Sequence, residues 1–103
     1  MKIILTNVPP LKAKEIARKM VESQLAACVN LIPGLLSIYE WQGKIEEEPE
    51  TQLVIKTTQI RLDEAVSLLK QIHPYEVPEI AVLDISSVNP EYLQWLKNYV
   101  EKN

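Results

Sequence analysis

The chain has 103 residues, of which 47% are apolar, 24% charged and 6% aromatic. That length predicts one domain over residues 1–103, because domains typically contain roughly 100–150 residues. Eleven basic against fourteen acidic residues give a net charge of −3, so nucleic acid is not an expected partner. No apolar run approaches the ~20 residues that span a bilayer, so no membrane insertion is expected. The single cysteine and the absence of a signal-peptide pattern in residues 1–7 favour the cytoplasm.

The first half of the chain predicts three strands and one helix. The apolar run Ile3-Ile4-Leu5, closed by Pro9-Pro10, is typical of a strand buried on both faces. Residues 13–21 have apolar side chains at helical spacing and predict an amphipathic helix. Residues 27–41 and 44–57 predict two strands joined by a turn at Gln42-Gly43, with a bulge at Pro33-Gly34. The acidic run at residues 46–50 predicts a solvated kink.

The second half predicts a helix, a strand and a closing helix. Residues 62–72 form one apolar helical face that ends at His73-Pro74, because the residue before proline avoids the helical region. Residues 80–85 predict the fourth strand, and Asn89-Pro90 predicts the start of a last helix. The order β-α-β-β-α-β plus a helix indicates an α+β, ferredoxin-like domain with an antiparallel sheet. Right-handed crossovers place the first and third strands in the centre of that sheet.

The second strand lies at an edge of this sheet, although its sequence is unsuited to water. Leu36 and Ile38 point to one side, and Leu35, Tyr39 and Trp41 point to the other. Soluble proteins keep exposed edges short, charged or covered. We therefore expect a closed homo-oligomer that buries this strand, and the alternative is that the terminal helix shields it.

Two unique side chains are candidate metal ligands. Cys28 is the only cysteine and His73 the only histidine, and with a carboxylate they are suited to a transition metal such as copper. No paired ligand spacing such as Cys-x-x-Cys supports them. The structural alternatives are a cysteine in the core and a histidine that caps its helix.

The segment His73–Glu79 brings an imidazole, a phenol and two carboxylates into a short loop braced by two prolines. Such a loop holds polar groups at fixed positions for a ligand. Lys56 is a candidate source of positive charge for a pocket, or else an exposed strand end. Tyr39 and Trp41 are candidates for the pocket wall, or else anchors of a subunit interface.

No pattern for an enzyme is present. The serines have only His73 as a base, and no motif frames a nucleophile. Paired carboxylates for glycoside hydrolysis are not specified either. The sequence therefore favours a protein without enzymatic activity.

Several segments together resemble the CutA divalent-cation tolerance family. They are Ala26–Asn30, Ser37–Glu47, Ile55–Thr57, His73–Pro78 and Tyr92–Trp95, in the order and spacing of the family over nearly the whole chain. The resemblance implies a ferredoxin-like subunit in a homotrimer whose long hairpin joins neighbouring protomers. It also implies copper binding as in some members, divalent-metal tolerance, and a cytoplasmic location in bacteria. The family's cysteine corresponds to Cys28, its His-Pro-Tyr-Glu loop to residues 73–76, and its lysine and tryptophan to Lys56 and Trp41.

The leading hypothesis is a non-enzymatic homotrimer that binds copper or another divalent metal ion. The expected metal donors are Cys28, His73 and Glu76, taken from one subunit or from neighbouring ones, and the expected ligand-pocket residues are Lys56, Trp41 and Tyr75. The expected trimer interface consists of Leu36, Ile38, Tyr39 and Trp41. The alternative is a PII-like signalling or binding module that holds a small anion or a partner protein in clefts between subunits. A stable scaffold with an indirect effect on metal tolerance is a third possibility.

Overall fold

A computed structural model of the chain describes residues 1–101. Four strands and three α-helices occupy this range, with a short 3-10 turn at Pro10–Lys12. Their bounds are β1 Lys2–Val8, α1 Ala13–Glu22, β2 Cys28–Trp41, β3 Lys44–Thr57, α2 Leu62–Ile72, β4 Ala81–Asp84 and α3 Pro90–Val100. None of these helices combines the length and the apolar content that crossing a membrane requires.

The strands form one antiparallel sheet in the order β2-β3-β1-β4. The first and third strands of the chain are central, and β2 lies at one edge, so the predicted ferredoxin-like arrangement is confirmed. The fourth strand covers only Ala81–Asp84, which makes it shorter than the predicted 80–85.

Two of the four strands extend far beyond the other two. β2 and β3 contain 14 residues each, whereas β1 contains 7 and pairs with β3 only as far as Thr51. Pro9 and Pro10 follow β1 and have no N–H groups to continue the ladder. Residues 35–50 therefore form a two-stranded arm, and the molecule is elongated, with extents of 46 × 25 × 21 Å.

The arm contains the predicted bulge and turn but not the predicted kink. The pairing of β2 with β3 shifts register between Ile32 and Leu35, at Pro33-Gly34, where Gly34 has a φ of +78°. At the tip, Gln42 and Gly43 both have positive φ, as a two-residue turn with the twist of a hairpin requires. The expected kink at residues 46–50 is wrong, because pairing continues without interruption from Glu50 to Lys44.

One face of the sheet packs against α1 and α2. Strand alternation directs Ile4, Val8, Leu53 and Ile55 to this face, where each is fully buried. The helices contribute the apolar stripes predicted for them, including the buried side chains of Ile16, Met20, Ala65 and Leu69. On the opposite face, Ile3 and Leu5 are only partly buried, so β1 is not buried on both faces within one chain.

Helix α3 does not shield the edge strand. It packs at the end of the sheet away from the arm, where Lys56 lies beside Tyr92. There the Tyr99 hydroxyl donates to the Val21 carbonyl, and Arg61 donates to the Val100 carbonyl. Ile38 and Trp41 on β2 remain 63% and 51% exposed. The alternative that the terminal helix covers this strand is therefore wrong for the single chain.

The central position of Leu53 makes it a test of the core. We expect Leu53→Ala to lower the free energy of unfolding by about 2–5 kcal/mol, because its side chain is 0% exposed and its loss leaves a cavity. Leu11, which is 98% exposed, is the matched control. Leu11→Ala should change stability by about 0.5 kcal/mol or less. Urea unfolding at one fixed protein concentration measures both, and equal losses would contradict the assigned core.

Candidate functional site

A cleft lies at the base of the arm, where β1 ends and the sheet narrows from three strands to two. Its volume is about 820 Å³, and its walls are the arm, the end of β1 and the loop after α2. The lining residues are Asn7, Pro9, Pro10, Ser37, Tyr39, Trp41, Glu48, Pro49, Glu50, Pro74, Tyr75, Glu76, Val77 and Glu79. This size is within the ~300–1,000 Å³ range of small-molecule sites.

A hydrogen bond between Tyr75 and Glu50 joins the loop to the arm. The Tyr75 hydroxyl donates to Glu50 Oε2 at 2.6 Å, and Glu50 is only 7% exposed. Burial and the adjacent Glu50 carboxylate raise the pKa of Tyr75, so this phenol stays protonated and remains a donor. Within residues 1–101, no cationic side chain forms an ion pair with Glu50.

His73 fixes the start of the same loop. Its Nδ1 accepts the Tyr75 backbone N–H at 3.2 Å, so the ring proton of the neutral imidazole belongs to Nε2. That nitrogen lies 3.1 Å from the Asn7 carbonyl oxygen and 3.0 Å from Thr6 Oγ1. Burial lowers the pKa of His73, which favours the neutral ring that this arrangement needs. His73 thus connects the end of α2 to β1 and orients Tyr75.

The cleft is negatively charged. Four glutamates line it, from the arm and from the loop, and no lysine, arginine or histidine of residues 1–101 does. Two tyrosines and one tryptophan form its aromatic surface. An acidic cleft with aromatic walls attracts cations and repels anions.

The predicted site residues fall into two separate groups. Trp41, Tyr75 and Glu76 all line the cleft, and His73 lies directly behind it with its ring centroid 5.0 Å from that of Tyr75. Cys28 and Lys56 are directly paired at the other end of the sheet, beside Ile3.

The separation of the two groups follows from the strand register. His73 contacts β1 at Thr6 and Asn7, three to four residues from Ile3, which corresponds to about 10–14 Å along the strand. Lys56 has the Tyr92 ring as its neighbour, with Nζ 5.7 Å from the ring centroid. Within residues 1–101, no three His, Cys, Asp or Glu side chains are grouped closely enough to hold a metal ion.

Sequence reasoning predicted the aromatic part of the arm's contribution, Tyr39 and Trp41, but missed the glutamates that β3 adds to the cleft. Glu48 and Glu50 are two residues apart on β3, so they share one strand face, and both line the cleft. The alternation within the acidic run is the signal that could have found them. The charge of the run predicts only a solvated segment, whereas Glu50 is buried.

Comparison with known proteins identifies the family. The family model described as CutA1 divalent ion tolerance protein matches residues 2–99. The chain belongs to the CutA1 family. The resemblance recognised in the sequence is therefore confirmed.

Curated relatives of this CutA1-family chain come from bacteria, animals and plants. Protein CutA of Mus musculus is 49% identical over 86% of the chain, and the Homo sapiens protein matches equally. The aligned region spans about half the length of these two mammalian relatives. The divalent-cation tolerance protein CutA of Thermus thermophilus is 47% identical over 92% of the chain and 93% of its own length.

Solved structures agree with this fold over nearly the full chain. A point mutant of CutA1 from Pyrococcus horikoshii superimposes with a TM-score of 0.94 at 35% identity, over 99% of this chain and 100% of that one. The PII-like protein CutA of Nostoc gives a TM-score of 0.92 at 37% identity, over 97% of both chains. The α+β, ferredoxin-like fold of the CutA1-family chain is thus shared with these structures.

The neutral state of His73 predicts how stability depends on pH. The pKa of His73 is lower in the folded chain than the 6.5 of a free histidine. Below about pH 6.5 the unfolded chain therefore takes up a proton at His73 more readily than the folded chain does. Stability is therefore fully present above pH 6.5 and decreases as the pH falls below it. The His73→Gln variant should lack this loss of stability at low pH, because it has no imidazole to protonate. Urea midpoints of both proteins between about pH 7.5 and 5 measure the difference, and parallel curves would contradict the assignment.

Proposed function

We propose that the CutA1-family chain forms a homotrimer without enzymatic activity, binds copper or another divalent cation, and acts in metal-ion homeostasis. The match to the divalent ion tolerance family supports the metal-related role. The observation that carries the proposal is the uncovered arm, since assembly would cover it and bring donors of different subunits together. A cytoplasmic location is part of the proposal, although two plant relatives are named chloroplastic.

The arm supports assembly through its apolar surface. Leu36, Ile38 and Trp41 are 57%, 63% and 51% exposed, and Tyr39 is 42% exposed. A two-stranded ribbon is marginally stable in water unless a further strand or another surface packs on it. A ring of three copies gives each arm such a surface and covers the edge that β2 leaves free in the single chain. We therefore assign Leu36, Ile38, Tyr39 and Trp41 to the trimer interface.

The metal donors of the proposal are Cys28, His73 and Glu76. Cys28 is a free, half-buried thiol at the first position of the edge strand, where a neighbouring copy can approach it. Thiolate and imidazole are ligands that copper prefers, and Glu76 adds a carboxylate. Because Cys28 and His73 lie apart in one chain, the proposed site takes them from neighbouring subunits. Coordination by His73 Nδ1 also requires the Tyr75 amide to move away from that atom.

The ligand pocket of the proposal is the acidic cleft with Trp41 and Tyr75 in its walls. Lys56 lies outside it in the single chain and would have to come from a neighbouring subunit. The alternative function, a PII-like module for a small anion, agrees with the description of the Nostoc protein as PII-like. The four glutamates of the cleft oppose an anionic ligand there, so cation binding is the better supported function.

The first test concerns assembly. We expect Ile38→Lys to shift the particle from three times the chain mass of 11.8 kDa toward a single chain, because it places a charge in the proposed interface. Lys70→Glu is the matched control, since it also changes charge but lies exposed on α2. Light scattering after size exclusion measures the mass. A wild-type mass of one chain at all concentrations would contradict the trimer.

The second test concerns the donors. Copper titration by calorimetry should show at least about tenfold weaker binding in Cys28→Ser and in His73→Gln, since even outer-sphere partners of metal ligands cost about 10–100-fold. Binding should also weaken on acidification, because thiol and imidazole must be deprotonated to coordinate. Glu47→Gln, an exposed carboxylate outside the cleft, is the control. Wild-type affinity in either donor variant removes that residue from the site.

A further inference from the structure

We propose that the cleft at the base of the arm binds a small organic polyammonium ion, of the diamine or polyamine class. This ligand differs from the metal ion discussed above, and its binding does not require Cys28 or a shift of His73. It is recognised by carboxylates and aromatic rings that are already assembled in one chain.

The buried carboxylate of Glu50 is the first observation that points to a cationic ligand. This side chain lines the cleft and is 7% exposed, yet its only hydrogen-bond partner among residues 1–101 is the Tyr75 hydroxyl. That bond uses Oε2, whereas Oε1 accepts no hydrogen bond from residues 1–101 and keeps some accessible surface. A largely buried carboxylate with one free, accessible oxygen is stabilised by a cation or a donor beside that oxygen. An ammonium group in the cleft supplies both, because it carries positive charge and only donates.

The aromatic walls are the second observation. Tyr39, Trp41 and Tyr75 all line the cleft together with the glutamates. The faces of such rings attract organic ammonium ions, most strongly in tryptophan. The same rings offer apolar surface to the alkyl segments that connect the charged groups of a polyamine.

The spacing of the carboxylates distinguishes an extended polyammonium ion from a metal ion. Glu48 and Glu50 belong to the arm, whereas Glu76 and Glu79 belong to the opposite loop. Within residues 1–101, these groups do not converge on a point that would hold a metal. No thiol or imidazole of this range lines the cleft either. Separate negative charges across a cleft of about 820 Å³ match a ligand whose positive charges are also separated.

Two adjacent glutamates of β3 provide a matched pair of variants. Glu48 lines the cleft, whereas Glu47 points to the other side of the strand and does not. Both are exposed, so neither substitution threatens folding. Trp95→Phe serves as the background in both cases, because it leaves Trp41 of the cleft as the only tryptophan and hence the only indole reporter.

The experiment is a titration of the assembled Trp95→Phe protein with spermidine, followed by tryptophan fluorescence at constant ionic strength. We expect saturable binding that is about three- to fivefold weaker in Glu48→Gln and unchanged in Glu47→Gln. Glu50→Gln should weaken binding by about tenfold or more, because its carboxylate is buried. Magnesium chloride is the comparison titrant, and it should produce no saturable change.

Three outcomes would overturn the proposal. No fluorescence change would mean that the cleft is filled by another subunit or does not take this ligand. Equal weakening by Glu48→Gln and Glu47→Gln would show non-specific attraction to an acidic surface. An equal response to magnesium would assign the cleft to inorganic cations. None of these results bears on copper binding by Cys28 and His73, which the calorimetric comparison tests separately.

Discussion

The termination of β1 at two prolines determines where the other features of this chain lie. Pro9 and Pro10 have no N–H groups, so the sheet continues past Val8 only as the paired strands β2 and β3. The arm, with its exposed apolar side chains, begins at this step. The cleft lies at the same step, because the end of β1 leaves space that the arm and the loop after α2 enclose. One local backbone constraint therefore produces both the exposed apolar surface of the arm and the cleft at its base.

His73 and Tyr75 connect the three segments that surround this step. The imidazole bonds to β1 through Asn7 and to its own loop through the Tyr75 amide, while the Tyr75 hydroxyl bonds to Glu50 of the arm. This chain of bonds requires a neutral imidazole and a protonated phenol, and burial favours both states. The cleft is thereby held open in one geometry. A ligand that binds there meets groups that are already positioned, so little entropy is lost in ordering them.

The fold could be predicted from the sequence because its signals are local. The helical stripes of α1 and α2, the Pro33-Gly34 bulge and the Gln42-Gly43 turn each depend on residues within one element. The cleft depends on long-range register, which composition does not specify. On the basis of residue type, Lys56 and Trp41 are predicted to share one pocket. In the structure Trp41 pairs with Lys44, and Lys44 lies twelve residues before Lys56 on the same strand. Counting along the predicted hairpin is enough to show this separation, whereas the burial of Glu50 required the structure.

The arm has two proposed roles that place different demands on its two sides. Because side chains alternate along a strand, Ile38 and its paired residue Glu47 lie on one side of the arm. Glu48 and Glu50 lie on the other side, which faces the cleft. Apolar packing between copies can use the side that carries Ile38, and the carboxylates of Glu48 and Glu50 on the cleft side then keep their charge. Tyr39 and Trp41 lie at the boundary, since they line the cleft and also belong to the proposed interface. Their rings can contribute one face to a neighbour and another to a ligand, so the two proposed roles are physically compatible and involve the same two side chains.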